Sequence, residues 1–237
     1  MTNIRQNPFL TLNLGISISG LFLVLILASN APTIQKGIPW RKPLVGLVFS
    51  IICMFGILAA LSPRQCSRSL HFRRENLNST DHQIHLSSHH PDCEEFSAHV
   101  IHISGHDLCA ACTGLLFGAV IALIGSSFYF FGGWHIKEAG LGAVLAGVVG
   151  VVLGFFQLRF RGFVRLVCNM FFVLGAFLIL VGMDELIESL FVDCFLLALT
   201  VFWILTRIQL SQWDHWRICS SCKSPCEERI GNDEQKD

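Results

Sequence analysis

Residues 113–132 read TGLLFGAVIALIGSSFYFFG, a run without a single charged side chain. Residues 139–157 follow closely as AGLGAVLAGVVGVVLGFFQ, again uncharged. A helix needs about 20 apolar residues to cross about 30 Å of hydrocarbon, and each run has that length. Working outward, four further apolar segments stand over 9–29, 43–62, 163–183 and 189–206. Helix is the conformation that fits all six, because an open strand would leave backbone N–H and C=O groups unpaired in lipid. The expected fold is therefore an all-α integral membrane protein with about six transmembrane helices, its outer surface solvated by a lipid bilayer.

Composition agrees. Of 237 residues, 52% are hydrophobic and 14% charged, with a mean hydropathy of +0.57. Soluble domains carry roughly a quarter charged residues. Lys+Arg and Asp+Glu both number 17, so the net charge is zero and no nucleic-acid partner is expected. The first segment also admits a signal-peptide reading, with Arg5 before the apolar run and Ala28 and Ala31 at its end. Pro32 would hinder cleavage after Ala31, so a retained span is preferred.

Basic residues orient the helices. Alternating the loops puts the N-terminus, the 63–112 loop, the turn with Arg159, Arg161 and Arg165, and the tail on one side, with thirteen basic residues. The other side has four: Lys36, Arg41, Lys42 and Lys137. Both termini and the 63–112 loop are thus expected in the cytoplasm of a cell-membrane protein. Trp40 and Trp134 are expected at the outer interface, Trp213 and Trp216 at the inner one. The sequon Asn78-Ser79-Thr80 points the other way, but a three-residue match is common by chance.

Two segments carry small-residue faces: Gly114, Gly118, Ala122 and Gly125 in one, Ala143, Gly147, Gly150 and Gly154 in the next. Spacings of three and four keep each set on one face, where backbones can approach closely. Ordinary helix packing is the expected use, with a substrate path between the helices as the alternative, and these faces also admit a homo-oligomer. Asp184, Glu185, Glu188 and Asp193 gather at the outer end of the last two segments and read as a solvated turn. Cys53, Cys168 and Cys194 lie inside spans and read as small apolar residues.

Ten Cys and ten His exceed what packing needs, and eight of the His fall between His71 and His106. Residues 89–114 read HHPDCEEFSAHVIHISGHDLCAACTG. Phe96–Ile103 alternates β-branched residues with His and suggests a short strand ending in a Ser104-Gly105 turn. Cys109-x-x-Cys112 then leads into the third span. A C-x-x-C tip can turn two thiolates toward one metal ion. A helix N-terminus favours the thiolate, which is the ligating form. Candidate partners upstream are Cys93, His90, His99, His102 and His106, and the sharpest set is Cys93, His99, Cys109 and Cys112. Soft thiolates with imidazole favour zinc over hard cations. The tail reads Cys219-x-x-Cys222-x-x-x-Cys226. Those cysteines could complete a site with Cys109 and Cys112, or form a second one with His215. The spacing matches neither ferredoxin run.

The motif Cys109-Ala110-Ala111-Cys112-Thr113-Gly114, with Cys93 upstream, resembles a family of predicted multi-pass membrane proteins of unknown function (domain of unknown function 2085 type). That family carries an upstream Cys and a Cys-Ala-x-Cys-Thr-Gly motif running into a membrane helix. The likeness covers roughly 89–155. It implies a multi-pass membrane fold with a Cys/His site and supplies no activity. The family often places a basic residue between the cysteines, where Ala111 stands here.

The organisation expected is two N-terminal spans over 1–62, a small cytoplasmic His/Cys-rich loop domain over 63–112, four spans over 113–206, and a cytoplasmic tail over 207–237 with its Cys cluster. The leading functional expectation is a non-enzymatic membrane protein whose loop binds zinc for structure or sensing. A metal-ion or small-solute transporter ranks lower, since Asn13, Asn169 and Asp193 are the strongest polar candidates within spans. A membrane redox enzyme using Cys109 and Cys112 is the third.

Overall fold

The structure, a computed structural model, describes residues 8–31, 40–61, 100–103, 106–134 and 139–221. Six helices in it are long and apolar enough to cross a membrane. They are α1 (Pro8–Ser29), α2 (Arg41–Leu61), α3 (Ala110–Ser126), α4 (Gly140–Phe155), α5 (Gly162–Leu186) and α6 (Leu190–Ser221). A π-helical turn, Ser127–Phe131, prolongs α3, and a 3-10 turn, Phe156–Arg159, prolongs α4. Two short strands, β1 (Val100–Ile103) and β2 (His106–Cys109), pair antiparallel just before α3, with Val100 opposite Cys109 and Ile103 opposite His106. β1 thus falls within the strand expected over Phe96–Ile103. Residues 96–99 and 104–105 lie outside the described residues.

Neighbouring contacts fix the direction of each helix. Gly114 faces Leu166 and Gly125 faces Phe177, so α3 and α5 run parallel. Gly140 meets Gly182 and Gly154 meets Phe172, so α4 runs against α5. Gly46 meets Phe130, Gly20 meets Leu199, and Asn13 bonds Gln209, which sets α2 against α3 and α1 against α6. Arg41, at the start of α2, reaches the end of α5 and the start of α6. Odd and even helices therefore point in opposite directions. One end of the bundle gathers the starts of α1, α3 and α5. The other gathers the starts of α2, α4 and α6.

The outer faces carry Phe22, Phe55, Phe117, Val149, Phe163 and Phe191 exposed. A soluble protein would bury such residues, and here they suit a lipid surround. Inside, Phe49, Val144, Phe172, Ile179, Met183 and Trp203 are essentially buried. α1 belongs to this packing through Leu21 and Val24. Cys53 and Cys168 are buried as small apolar residues, and Cys194 is exposed.

The glycine faces are spent within the chain. Both pack on α5, the most enclosed helix, and so build contacts within the chain. One backbone approach between α4 and α5 is reciprocal. A Cβ on Gly147 would lie 2.6 Å from the Gly175 carbonyl oxygen, and one on Gly175 would lie 2.5 Å from the Gly147 oxygen. Backbone cannot retreat as a side chain can, so Gly175→Leu should cost about 1–3 kcal/mol or more through overpacking. Gly142 has open space around it. Thermal unfolding in detergent should show a marked loss for Gly175→Leu and none for Gly142→Ala. Equal effects would contradict this interface.

Several expected boundaries move. α3 begins at Ala110 rather than after Cys112, because the two alanines are strong helix formers and extend the helix back to the strand. α6 continues to Ser221, taking the first half of the expected tail into the bundle. Trp40 and Trp134 are exposed at one end, as an interfacial belt requires. Trp213 is instead buried under Arg217, whose guanidinium lies 5.2 Å from the ring centroid.

Candidate functional site

Cys109 is the last residue of β2 and the N-cap of α3, and Cys112 follows in the first helical turn. The ladder with β1 holds Cys109 opposite Val100, so the tip is fixed on both sides. The Cys112 thiol donates to the Cys109 sulfur, and this is the main reason the Cys109 thiol drops to about 5. Burial opposes the shift. The sulfur closes no capping hydrogen bond, yet the first-turn N–H groups of Cys112 and Ala111 favour its anion. The Arg165 guanidinium adds to the effect, and its charge acts on both thiols. This positive charge comes from α5. The pair forms no disulfide.

Arg165 is not the turn residue expected. It is buried within α5, with Nη2 3.4 Å from Asp214 Oδ2 of α6. Asp214 Oδ1 takes Arg217 at 2.8 Å. One turn deeper, Asn169 donates to the Arg165 carbonyl at 2.6 Å and accepts from Arg207 Nε at 2.8 Å. Arg207 also reaches Gln157 Oε1 at 3.4 Å and lies over the Phe172 ring. A buried polar network therefore joins α4, α5 and α6 directly behind the thiols.

A second network closes the opposite end. Arg41 bridges Asp184 Oδ1 at 2.6 Å and Asp193 Oδ2 at 2.5 Å. Lys42 lies 3.1 Å from Asp184 Oδ2 and 3.7 Å from Glu185 Oε1. Tyr129, turned inward by the π-helical turn, donates toward Asp184 Oδ2 at 2.6 Å and toward Glu185 Oε1 at 2.7 Å. Asp184 and Asp193 are fully buried. The solvated turn expected here is instead an ion cluster, because Arg41 and Lys42 enter from α2. Without buried Arg41, Arg165 and Arg207 the basic residues still divide eleven to three.

Of the expected metal ligands, Cys109 and Cys112 are brought together. Cys93, His90, His99, Cys222 and Cys226 lie outside the described residues. His106 belongs to β2 and Cys219 to the last turn of α6, without described side chains. Among the described residues, no three His, Cys, Asp or Glu side chains gather as a metal-holding group. Sequence reasoning missed Arg165, Arg207, Asp214, Gln157, Arg41 and Tyr129. Asn169 and Asp193, singled out as polar residues within spans, were the signal that polar networks existed there. No family model, no curated protein and no solved structure matches this chain.

Proposed function

We propose that this integral membrane protein presents Cys109 and Cys112 as a cytoplasmic zinc-binding tip with a structural or sensing role. The observation that carries the reading is the placement of the two thiols, held side by side between β2 and the first turn of α3. Two soft thiolates supply half of a tetrahedral zinc site. The remaining ligands would come from Cys93, His90, His99 and His106, or from Cys219, Cys222 and Cys226. When bound, zinc would tie the loop to the helix bundle. Arg165 would hold the thiolate charge in place, and the Asp214 contact would couple the tip to α6.

The alternative with a specific observation behind it is thiol–disulfide exchange, since a guanidinium beside a dithiol also suits a nucleophilic thiolate. One experiment separates the two. The full chain, purified without a His tag, is treated with a maleimide, and modification of Cys109 and Cys112 is read by mass spectrometry. The zinc reading expects protection that a strong chelator lifts. Protection lifted by a reductant and not by the chelator would assign the pair to exchange. Rapid modification without either reagent would remove the zinc reading and leave a reduced, reactive exchange pair.

A further inference from the structure

The strand register sorts the histidines next to the thiol pair. β1 and β2 pair with Val100 opposite Cys109, Ile101 opposite Leu108, His102 opposite Asp107 and Ile103 opposite His106. Successive residues of a strand alternate between two faces, and residues directly opposite each other across a ladder share one. One face of the hairpin is therefore that of Val100, His102, Asp107 and Cys109. The other is that of Ile101, Ile103, His106 and Leu108. Cys109 keeps an extended backbone, with φ −68° and ψ 114°, so the alternation runs through it before α3 begins.

The two sets differ in chemistry. The first joins His102 and Asp107 to Cys109, and the second joins His106 to three aliphatic residues. Ile101 and Leu108, paired in the second set, are both half-buried. β1 lies against α5 and β2 runs directly into α3, so the hairpin is seated on the bundle. Of the two histidines in the hairpin, His102 shares the face of Cys109 and His106 does not. His102 stands two residues along β1 from Val100, the residue opposite Cys109. Diagonal positions of this kind are about 7–8 Å apart, a span that ring side chains cover. Cys112 joins from the helix side, where its thiol donates to the Cys109 sulfur. Asp107 is on the same face, but imidazole suits a metal already held by thiolates better than a carboxylate does.

We propose that His102 is the third ligand of the metal held by Cys109 and Cys112, so that zinc pins the β-hairpin to the start of α3. The proposal rests on the zinc reading of the thiol pair and moves one ligand from the upstream loop into the hairpin itself. Each strand has four residues, and an isolated two-stranded hairpin is marginal in water. A metal bonded both to β1 and to the first turn of α3 would hold such a hairpin closed.

Zinc affinity is measured by competition with a chromophoric chelator, on the full chain in lipid nanodiscs. His102→Ala should weaken zinc binding by at least about 10-fold, the loss that even an outer-shell partner of a zinc ligand carries. His106→Ala and Asp107→Asn should bind as the wild type does. X-ray absorption at the zinc edge of the unmutated protein should show imidazole scattering beside sulfur, which keeps the test open if a variant fails to fold. An all-sulfur shell, an unchanged affinity in His102→Ala, or an equal loss in His106→Ala or Asp107→Asn would overturn the proposal while the thiol pair still holds zinc. A wild type without zinc, or zinc kept by the Cys109→Ser, Cys112→Ser double variant, would overturn the zinc reading and this proposal together.

Discussion

Arg41→Met should destabilise the bundle by about 3–5 kcal/mol, the usual cost of leaving a buried charge without its partner. Arg41 is 2% exposed and spans two fully buried aspartates on different helices. Methionine fills much of the volume, so little of the loss would come from a cavity. What is lost is, among the described residues, the ion-pair partner of Asp193 and one of the two cations that hold Asp184. Lys42 remains 3.1 Å from Asp184. Reversible unfolding in mixed micelles should show the loss directly. Adding Asp193→Asn to Arg41→Met should recover a large part of it, because an amide tolerates burial better than an unpaired carboxylate. A change below about 0.5 kcal/mol for Arg41→Met, the size of an ordinary surface substitution, would show that the cluster is solvated after all.

The six helices were legible because lipid imposes a length and a polarity on every span, and both can be read along the chain. The glycine faces were legible for a similar reason, since helical spacing alone puts Gly147, Gly150 and Gly154 on one side. The charged residues were not. Arg41, Arg165 and Asp184 stand at the ends of apolar runs, where a side chain facing water and one facing a partner look alike in sequence. Which of these happens depends on helices far away in the chain, as when Asp214 of α6 meets Arg165 of α5. Pairing of this kind needs the packing to be known first. The Cys109–Cys112 tip was legible at once, because a two-residue spacing brings the thiols together whatever the rest of the fold does. The guanidinium behind them was not, because it enters from another helix.

The networks also change the weight of the functional alternatives. Polar residues within spans appeared scarce, which counted against transport. The structure holds Arg41, Gln157, Arg165, Asn169, Asp184, Asp193, Arg207 and Asp214 buried. They group at the two ends of the bundle, bonded across helices, with the apolar layer of Phe172, Ile179 and Met183 between. That arrangement ties helices together at each membrane face. It also leaves the thiol tip resting on a rigid base, which suits a site that holds a ligand in fixed geometry.

The second large effect concerns the tip itself, and it is the most direct check on the proposed function. A structural zinc contributes about 10–16 kcal/mol of apparent binding free energy in small peptides, so it can order a loop with little core of its own. Removing both thiols takes away half of a four-ligand site, and the remaining donors would not retain the metal. Metal content should be measured on the full chain purified without a His tag, by inductively coupled plasma mass spectrometry after exhaustive dialysis. The account predicts about one zinc per chain in the wild type. It predicts background zinc in the Cys109→Ser, Cys112→Ser double variant, with helix content unchanged. No zinc in the wild type, or zinc retained at the same level in the double variant, would contradict it.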